Sequence, residues 1–428
     1  MTAPRYVVLE DDPTGVQLLH GVTLVTDDDA ATLAAAAATG TAAIHVVTNS
    51  RALSPERAEA VVEHAARRAA AVLPGATILL RGDSTLRAHV LEEYRALARV
   101  AHPDRDPVLV LLPALPPAGR ITRDGVHRLR VDGADVPVHE TEYARDGDFA
   151  YGTSDLLQWA EERSAGALRA RDGAGLAVAP LRAGGRDAVL AILRRLAASG
   201  APAVFAPDSE TLEDQALLGA GVRAALQEQI PLVVRTSPSS VGALCRTLAP
   251  APVAMPRGHT LVVCGSYVPG TTRQLERLAD AHPDAMVELD LDAADPVADA
   301  AEAIAARLRD GGLAVLSTPR DRAPHRRSLA AGAGVMDLLT AVVARVAPAA
   351  DVVIAKGGIT SAEVMRRGLG ANLAAVAGPL EPAGVLLRAG GGAAGKPYVI
   401  VPGNIGAPDL LRSLVEQSLA LSVLPDTV

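Results

Sequence analysis

Short apolar runs alternate with longer amphipathic stretches along almost the whole chain, and most of those runs stop at a turn rich in Asp, Arg, Ser, Pro or Gly. This alternation predicts parallel strands joined by helical crossovers. In the first half, RYVVLE, TLVT, AAIHVVT, ATILL and PVLVLLP read as buried strands. Apolar spacing near 54–72 and 86–100 suits helices, and the Ala-rich stretch 30–38 reads as an ordinary helix. Ser54-Pro55-Glu56 is a helix start, with Ser as cap and Pro in the first turn. Between about 114 and 152 the pattern breaks down into Pro, Gly, Asp and Arg, which predicts an ordered loop on the ligand side. Helix and strand signals resume at 153–164, 185–199, 202–206, 210–228 and 231–234.

A linker-like composition at 247–259 precedes a fresh strand, TLVVC, and marks a boundary. The expected domains are 1–247 and 258–428. In the second, strands are expected near 260–264, 285–289, 312–316 and 350–355, with helices near 271–281, 297–308, 332–346 and 360–368. PYVIVPG supplies a further strand, and a closing helix follows Pro408. The fold class is α/β: two domains, each a mostly parallel sheet flanked by helices, with the active site expected in the interdomain cleft. A length of 428 residues suits two such cores.

Composition excludes several classes. With 49% hydrophobic and 21% charged residues, the chain is folded rather than disordered. A net charge of −8 and 2% aromatics argue against nucleic acid as a partner. No apolar run is long enough to span a bilayer, and the N-terminus reads directly as a strand, so no membrane partner and a cytoplasmic location are expected. Cys245 and Cys264 form no CxxC pair and read as reduced, buried thiols. Among 41 basic residues only Lys356 and Lys396 are lysine, which singles out positions where a compact ammonium is needed.

The chemistry-bearing residues cluster at predicted strand ends, where open α/β sheets bind ligands. Glu10-Asp11-Asp12-Pro13-Thr14-Gly15 follows the first strand; its paired carboxylates Asp11 and Asp12 can hold a hydroxyl and accept its proton. Thr48-Asn49-Ser50-Arg51 places a guanidinium on the same rim, suited to a carboxylate ligand. Arg81-Gly82-Asp83-Ser84-Thr85-Leu86-Arg87 mixes an acid, hydroxyls and bases over a strand-to-helix turn. Pro113 through Gly119-Arg120-Ile121-Thr122 follows another strand end. Each segment alone also reads as a solvated turn or a cap; their convergence on one rim is the stronger signal.

In the second domain, Cys264-Gly265-Ser266, Lys356-Gly357-Gly358-Ile359-Thr360-Ser361 and Pro402-Gly403-Asn404-Ile405-Gly406 each follow a strand. Glycines before hydroxyl-bearing helix starts can cradle phosphate, with Lys356 as a point cation. Gly390 to Lys396 satisfies G-x-x-x-x-G-K, but Pro397 and a strand follow where Ser or Thr and a helix are required, so it reads as a loop. No G-x-G-x-x-G sits between a strand and a helix, and the ten histidines form no ligand cluster.

DDPTG, TNSR, DSTLR, PALPPAGRIT with GVH, VPVHETEYARD and TSDL resemble the N-terminal domain of the four-carbon acid sugar kinases. CGSYVPGTTRQL, KGGITS, GLG and PGNIG resemble that family's C-terminal domain, and the likeness runs in order from about residue 5 to about 412. The resemblance implies phosphoryl transfer from ATP, with Mg2+, to the terminal hydroxyl of a threonate, erythronate or 3-oxo-tetronate. It implies that Asp12, Arg51, Asp83, Ser84 and Arg87 hold the acid; Asp11 and Arg120 on the same rim join them, and side-chain chemistry puts Arg51 and Arg87 on the carboxylate and Asp12, before Asp83, as the base. The resemblance assigns Ser266, Gly357, Gly358, Ile359, Thr360, Gly403, Asn404, Ile405 and Gly406 to ATP, with Lys356 added as the point cation. Two departures stand out: Ala88-His89 replaces a small glycine after DSTLR, which bears on substrate fit, and GPLEPAGVLLR lacks an aromatic common in that turn. A sugar-phosphate isomerase or aldolase, or a non-catalytic sugar-acid sensor, is the alternative. A homodimer is the default expectation for assembly.

Overall fold

The computed structural model describes residues 5–266, 269–320, 329–403 and 405–419. Two compact units divide the chain, one ending at Leu248 and the other beginning at Ala249.

The first unit contains β1 (Tyr6–Glu10), β2 (Thr23–Val25), β3 (Ala43–Val47), β4 (Thr77–Arg81), β5 (Val108–Leu112), β6 (Arg120–Arg123), β7 (Val126–Val131), β8 (Ala134–Pro137), β9 (Val204–Phe205) and β10 (Leu232–Thr236). Its main sheet runs β2-β3-β1-β4-β10-β5-β9, with every neighbouring pair parallel. Strands buried on both faces need near-continuous apolar sequence, and β5, VLVLL, is buried throughout. Glu10 pairs with both Val47 and Arg81, and Thr236 pairs with both Arg81 and Leu112. The carboxyl ends of five strands therefore finish level, and the turns that leave them share one rim.

Helices α1 (Ala30–Ala38), α2 (Pro55–Val72), α3 (Val90–Ala101), α4 (Leu156–Arg163), α5 (Val178–Ala197), α6 (Leu212–Gln227) and α7 (Pro238–Cys245) complete this unit. Asp29 caps α1 through the amides of Ala31 and Thr32, and a Thr211/Asp214 capping box opens α6. Ser54 and Pro55 start α2 as expected, although the serine hydroxyl makes no capping bond. Gly185, at φ 53 and ψ −139, breaks α5 in its second turn. Helix α3 begins at Val90 rather than near 86, because Leu86 takes a left-handed conformation at φ 66.

The segment 114–152 is not the irregular loop that its composition suggested. Strands β6, β7 and β8 pair antiparallel as a separate ribbon. Two-residue turns join them at Asp124-Gly125 and Asp132-Gly133, all four residues having positive φ. Such turns match the twist of the flanking strands. Asp208 ties the first turn down by accepting from the Asp124 and Gly125 amides at 2.7 and 2.9 Å.

The second unit contains β11 (Thr260–Cys264), β12 (Met286–Glu288), β13 (Leu313–Ser317), β14 (Val352–Lys356), β15 (Leu373–Pro379), β16 (Val385–Ala389) and β17 (Pro397–Val401). Parallel pairs connect β12-β13-β11-β14-β17, and β16 and β15 extend the edge antiparallel. Helices α8 (Pro269–Ala281), α9 (Pro296–Gly311), α10 (Leu329–Val346), α11 (Gly358–Glu363) and α12 (Leu410–Leu419) flank it. The helix expected over 360–368 is α11 followed by a π-helical turn, Val364–Gly368. Val262, Ile354, Val399, Leu278, Leu411 and Val415 meet in the core. Both units match the expected mostly parallel sheets. No helix among the described residues is long and apolar enough to cross a membrane.

Candidate active site

The level strand ends of the first unit carry a layered ionic cluster. At its floor, Arg81 on β4 is buried and lies 3.3 Å from the carboxylate of Glu10 and 2.8 Å from that of Asp11. Glu10 also meets Nδ1 of buried His45 on β3 at 2.6 Å. Arg235 on β10 pairs closely with Glu93 on α3, which also accepts from Ser50 Oγ at 2.7 Å. Buried charges need such partners, because an unpaired one pays its full desolvation cost. Two glycines make the layering possible. A Cβ on Gly15 would overlap Glu10 Oε2 and sit 2.6 Å from Arg81 Nε, and one on Gly82 would overlap the Arg235 guanidinium.

Above the floor stand the expected residues of the rim. Asp12 accepts from Thr14 N at 2.8 Å and from Thr14 Oγ1 at 2.6 Å, and pairs closely with Arg51. Arg51 also lies 3.8 Å from Asp11 and 3.6 Å from Asp83. Asp83 accepts from Arg87 Nε at 2.8 Å and from the Thr85 hydroxyl. The structure thus brings Asp11, Asp12, Arg51, Asp83, Ser84, Arg87 and Arg120 together. It departs from expectation at Arg51, whose guanidinium is taken up by three carboxylates and not turned outward to a ligand.

Arg120 differs from its neighbours. It is buried, its Nη1 donates to Ser84 Oγ at 2.5 Å, and its Nε has no partner among the described residues. No carboxylate lies within ion-pair distance of it among the described residues. Tyr143 lies beside two cations, 5.2 Å from Arg87 and 6.0 Å from Arg120. Tyr151 donates to Thr85 O at 2.8 Å and fixes the DSTLR turn from the other side. His127 lies 2.9 Å from Ser84 O and 3.0 Å from Thr122 Oγ1; burial lowers its pKa to about 4, so it stays neutral. The departure at His89 does not face this cluster. Its Nε2 lies 3.0 Å from Leu53 O and its ring packs edge-on against Phe149.

The three carboxylates separate electrostatically. Burial pushes Asp11 up to about 6 against the pull of Arg51, Arg81 and Arg235. Burial also acts on Asp12, but Arg51, Arg81 and the Thr14 bonds outweigh it and lower its pKa. Asp83 is buried too, yet Arg51, Arg87 and Arg120 hold it far below the usual carboxylate range. Side-chain exposure ranks them differently: 18% for Asp12, 7% for Asp83 and 2% for Asp11. Of these three, Asp12 is the most exposed.

Sequence reasoning gave no role to Glu10 and Tyr143, which lie inside the motifs it singled out, and missed Glu93 and Arg235. Arg235 had one local signal: it is a charge inside the apolar strand LVVRT.

In the second unit the expected glycine turns also gather at strand ends, since Cys264 pairs with Lys356 in register. Gly357 has φ 103, and a Cβ there would lie 3.0 Å from Ser266 Cβ. A Cβ on Gly265 would lie 2.6 Å from Thr360 Oγ1, so the Thr360 side chain packs directly on the backbone of the strand end. Gly358 opens α11, and Ile359 is 51% exposed. Gly403, Ile405 and Gly406 follow β17; Asn404 lies outside the described residues. Lys356 departs from expectation. Its side chain is fully buried, and Nζ donates to Pro402 O at 2.6 Å and Ile405 O at 3.0 Å. Burial lowers its pKa to about 8. Lys396 donates to Ala350 O, and its glycine loop leads into β17, as expected for a connector.

No group of three or more His, Cys, Asp or Glu side chains suited to a metal occurs among the described residues. The rim carboxylates are engaged by arginines, so the residues present offer no ready-made magnesium site.

Residues 6–244 match the model of a sugar-binding N-terminal domain, and residues 261–411 match that of a nucleotide-binding C-terminal domain. A D-erythronate kinase from Heliobacterium modesticaldum is 38% identical over 107 residues, covering 23% of this chain and 24% of that protein. The chain thus spans about a quarter of the length of that curated relative. A solved protein from Salmonella typhimurium LT2 superposes with a TM-score of 0.71 at 20% identity, over 95% of this chain and 98% of that one. One from Haemophilus influenzae gives 0.67 at 16% identity, over 96% and 100%. These two likenesses are of fold alone.

Proposed function

The chain belongs to the four-carbon acid sugar kinase family, and from that premise we propose that it transfers the γ-phosphoryl group of ATP to the terminal hydroxyl of a four-carbon sugar acid. The acid is of the threonate, erythronate or 3-oxo-tetronate type. The observation that carries this reading is Asp12. It is the most exposed of the three carboxylates gathered around Arg51, in a domain that matches a sugar-binding model.

The roles follow from what each side chain already touches. Arg120, with no carboxylate partner among the described residues, takes the carboxylate of the acid, and Arg87, which also pairs with Asp83 and Asp146, takes its other edge. Arg51 holds Asp12 in place. As the acceptor hydroxyl attacks the γ-phosphorus, Asp12 takes its proton, the bond to the bridging oxygen breaks, and ADP leaves. Phosphoryl transfer depends mainly on positioning and charge, so a lowered base pKa is tolerable. Ser266, Gly357, Gly358, Ile359, Thr360 and the 403–406 turn hold ATP. A magnesium ion carried on the ATP phosphates would neutralise their charge; no residue of this chain is assigned to it.

Two measurements test this. MgATP should raise the melting temperature, and ADP release in a coupled assay should appear with one member of a tetronate panel. An isomerase would ignore MgATP, and a sensor would bind acid without releasing ADP; either result overturns the kinase reading. Arg120→Met should raise KM for the acid by about tenfold to a hundredfold with little change in kcat, as expected when uniform binding is lost. An unchanged KM would remove Arg120 from the carboxylate.

A further inference from the structure

The described residues of the loop that follows β17 are held from beneath. Lys356 Nζ donates to the carbonyls of Pro402 and Ile405. Thr271 Oγ1 donates to Gly403 O at 3.2 Å. Gln274 Nε2 donates to the carbonyls of Ile405, Gly406 and Ala407 at 3.3, 3.1 and 3.1 Å. Thr271, Gln274 and Lys356 are all buried. The carbonyls of residues 402, 403, 405, 406 and 407 therefore point into the domain.

A planar trans peptide directs its N–H opposite to its C=O. The amides of Gly403, Gly406 and Ala407 must then face away from those donors. None of the three has a backbone partner among the described residues. Successive outward amides form an anion-binding concavity, and this one lies beyond the carboxyl end of a parallel strand, where such sheets bind ligands.

We infer that Lys356, with Thr271 and Gln274, is a positioning residue that turns the carbonyls of Pro402, Gly403, Ile405, Gly406 and Ala407 inward and thereby presents the amides of Gly403, Gly406 and Ala407 to the phosphates of ATP. This rests on the nucleotide reading of the domain, and it reassigns Lys356 from phosphate contact to support of the loop. The residue type fits the task. A compact ammonium on a flexible stem reaches two carbonyls from one point, whereas a planar guanidinium presents a wider fork. The chain otherwise uses arginine almost exclusively.

The test measures MgATP binding to the full-length chain by calorimetry without acceptor, alongside acceptor-induced thermal shift and amide hydrogen exchange. Lys356→Met should weaken MgATP binding by about tenfold or more. It should speed exchange at 403–407 and leave the acceptor-induced shift unchanged. Lys356→Arg should not restore affinity. Wild-type affinity in Lys356→Met, with wild type itself binding MgATP, overturns the inference alone. Wild type that takes no MgATP overturns the nucleotide reading and the inference with it. If Lys356→Met does not fold, Thr271→Val and Gln274→Leu decide, each expected to weaken MgATP binding by about threefold; unchanged affinity in both overturns the inference.

Discussion

Asp12→Asn should lower kcat by about a hundredfold to ten-thousandfold, the usual contribution of a positioned base, while MgATP binds as before. The amide keeps the shape of the carboxylate and can still accept from Thr14, so the fold of the turn survives. What is lost is the proton acceptor and the charge that holds Arg51. The pH profile separates the candidates. A lowered pKa keeps Asp12 ionised and competent as a base to below the ordinary carboxylate value of about 4. If Asp11 were the base, activity would instead fall off as pH drops through about 6. Full turnover in Asp12→Asn removes it from the role, and an acid limb near 6 points to Asp11.

Arg81→Met should destabilise the first domain by about 3–5 kcal/mol, the cost of breaking a buried ion pair from one side. In a domain of this size that lowers Tm by roughly 10 °C. Glu10 and Asp11 both lose their nearest guanidinium, and neither has room to reach water. The loss should depend on pH with a definite sign. Asp11 already has a folded pKa raised above its unfolded value, and Arg81 is among the groups holding it down. Without Arg81 it rises further, so folding takes up a proton that the unfolded chain does not bind. That contribution favours the variant below about pH 4 and is lost as pH rises through the folded value. Thermal melts at pH 5.5 and pH 8 should therefore show the larger deficit at pH 8; equal deficits would mean that the carboxylates have found water or another partner.

Much of the frame was legible locally. Apolar runs gave β1, β3, β4, β5 and β10, and level register then forces their following turns onto one rim. The ribbon was legible too, since Asp124-Gly125 and Asp132-Gly133 are strong hairpin signals, but proline and charge around them hid the strands. Strands β15 and β16 were missed because they lie among Ala- and Gly-rich stretches. The ionic floor could not be read this way, because its partners are far apart in sequence. Arg81 meets Glu10 across 71 residues, and Arg235 meets Glu93 across 142. The same holds for Lys356: strand alternation fixes which face its side chain takes, but the carbonyls it serves lie 46 and 49 residues on.

The antiparallel ribbon has a practical use. It begins at Arg120, the guanidinium proposed to take the acid, and its far turn at Asp132-Gly133 is exposed, with open space around Gly133. Exposed tips of this kind accept insertions. A fluorophore or a circularly permuted fluorescent protein grafted between Asp132 and Gly133 leaves the parallel strands untouched, yet it sits on the element that would respond to acceptor. The ribbon thus offers an attachment point for an optical sensor of the proposed acceptor.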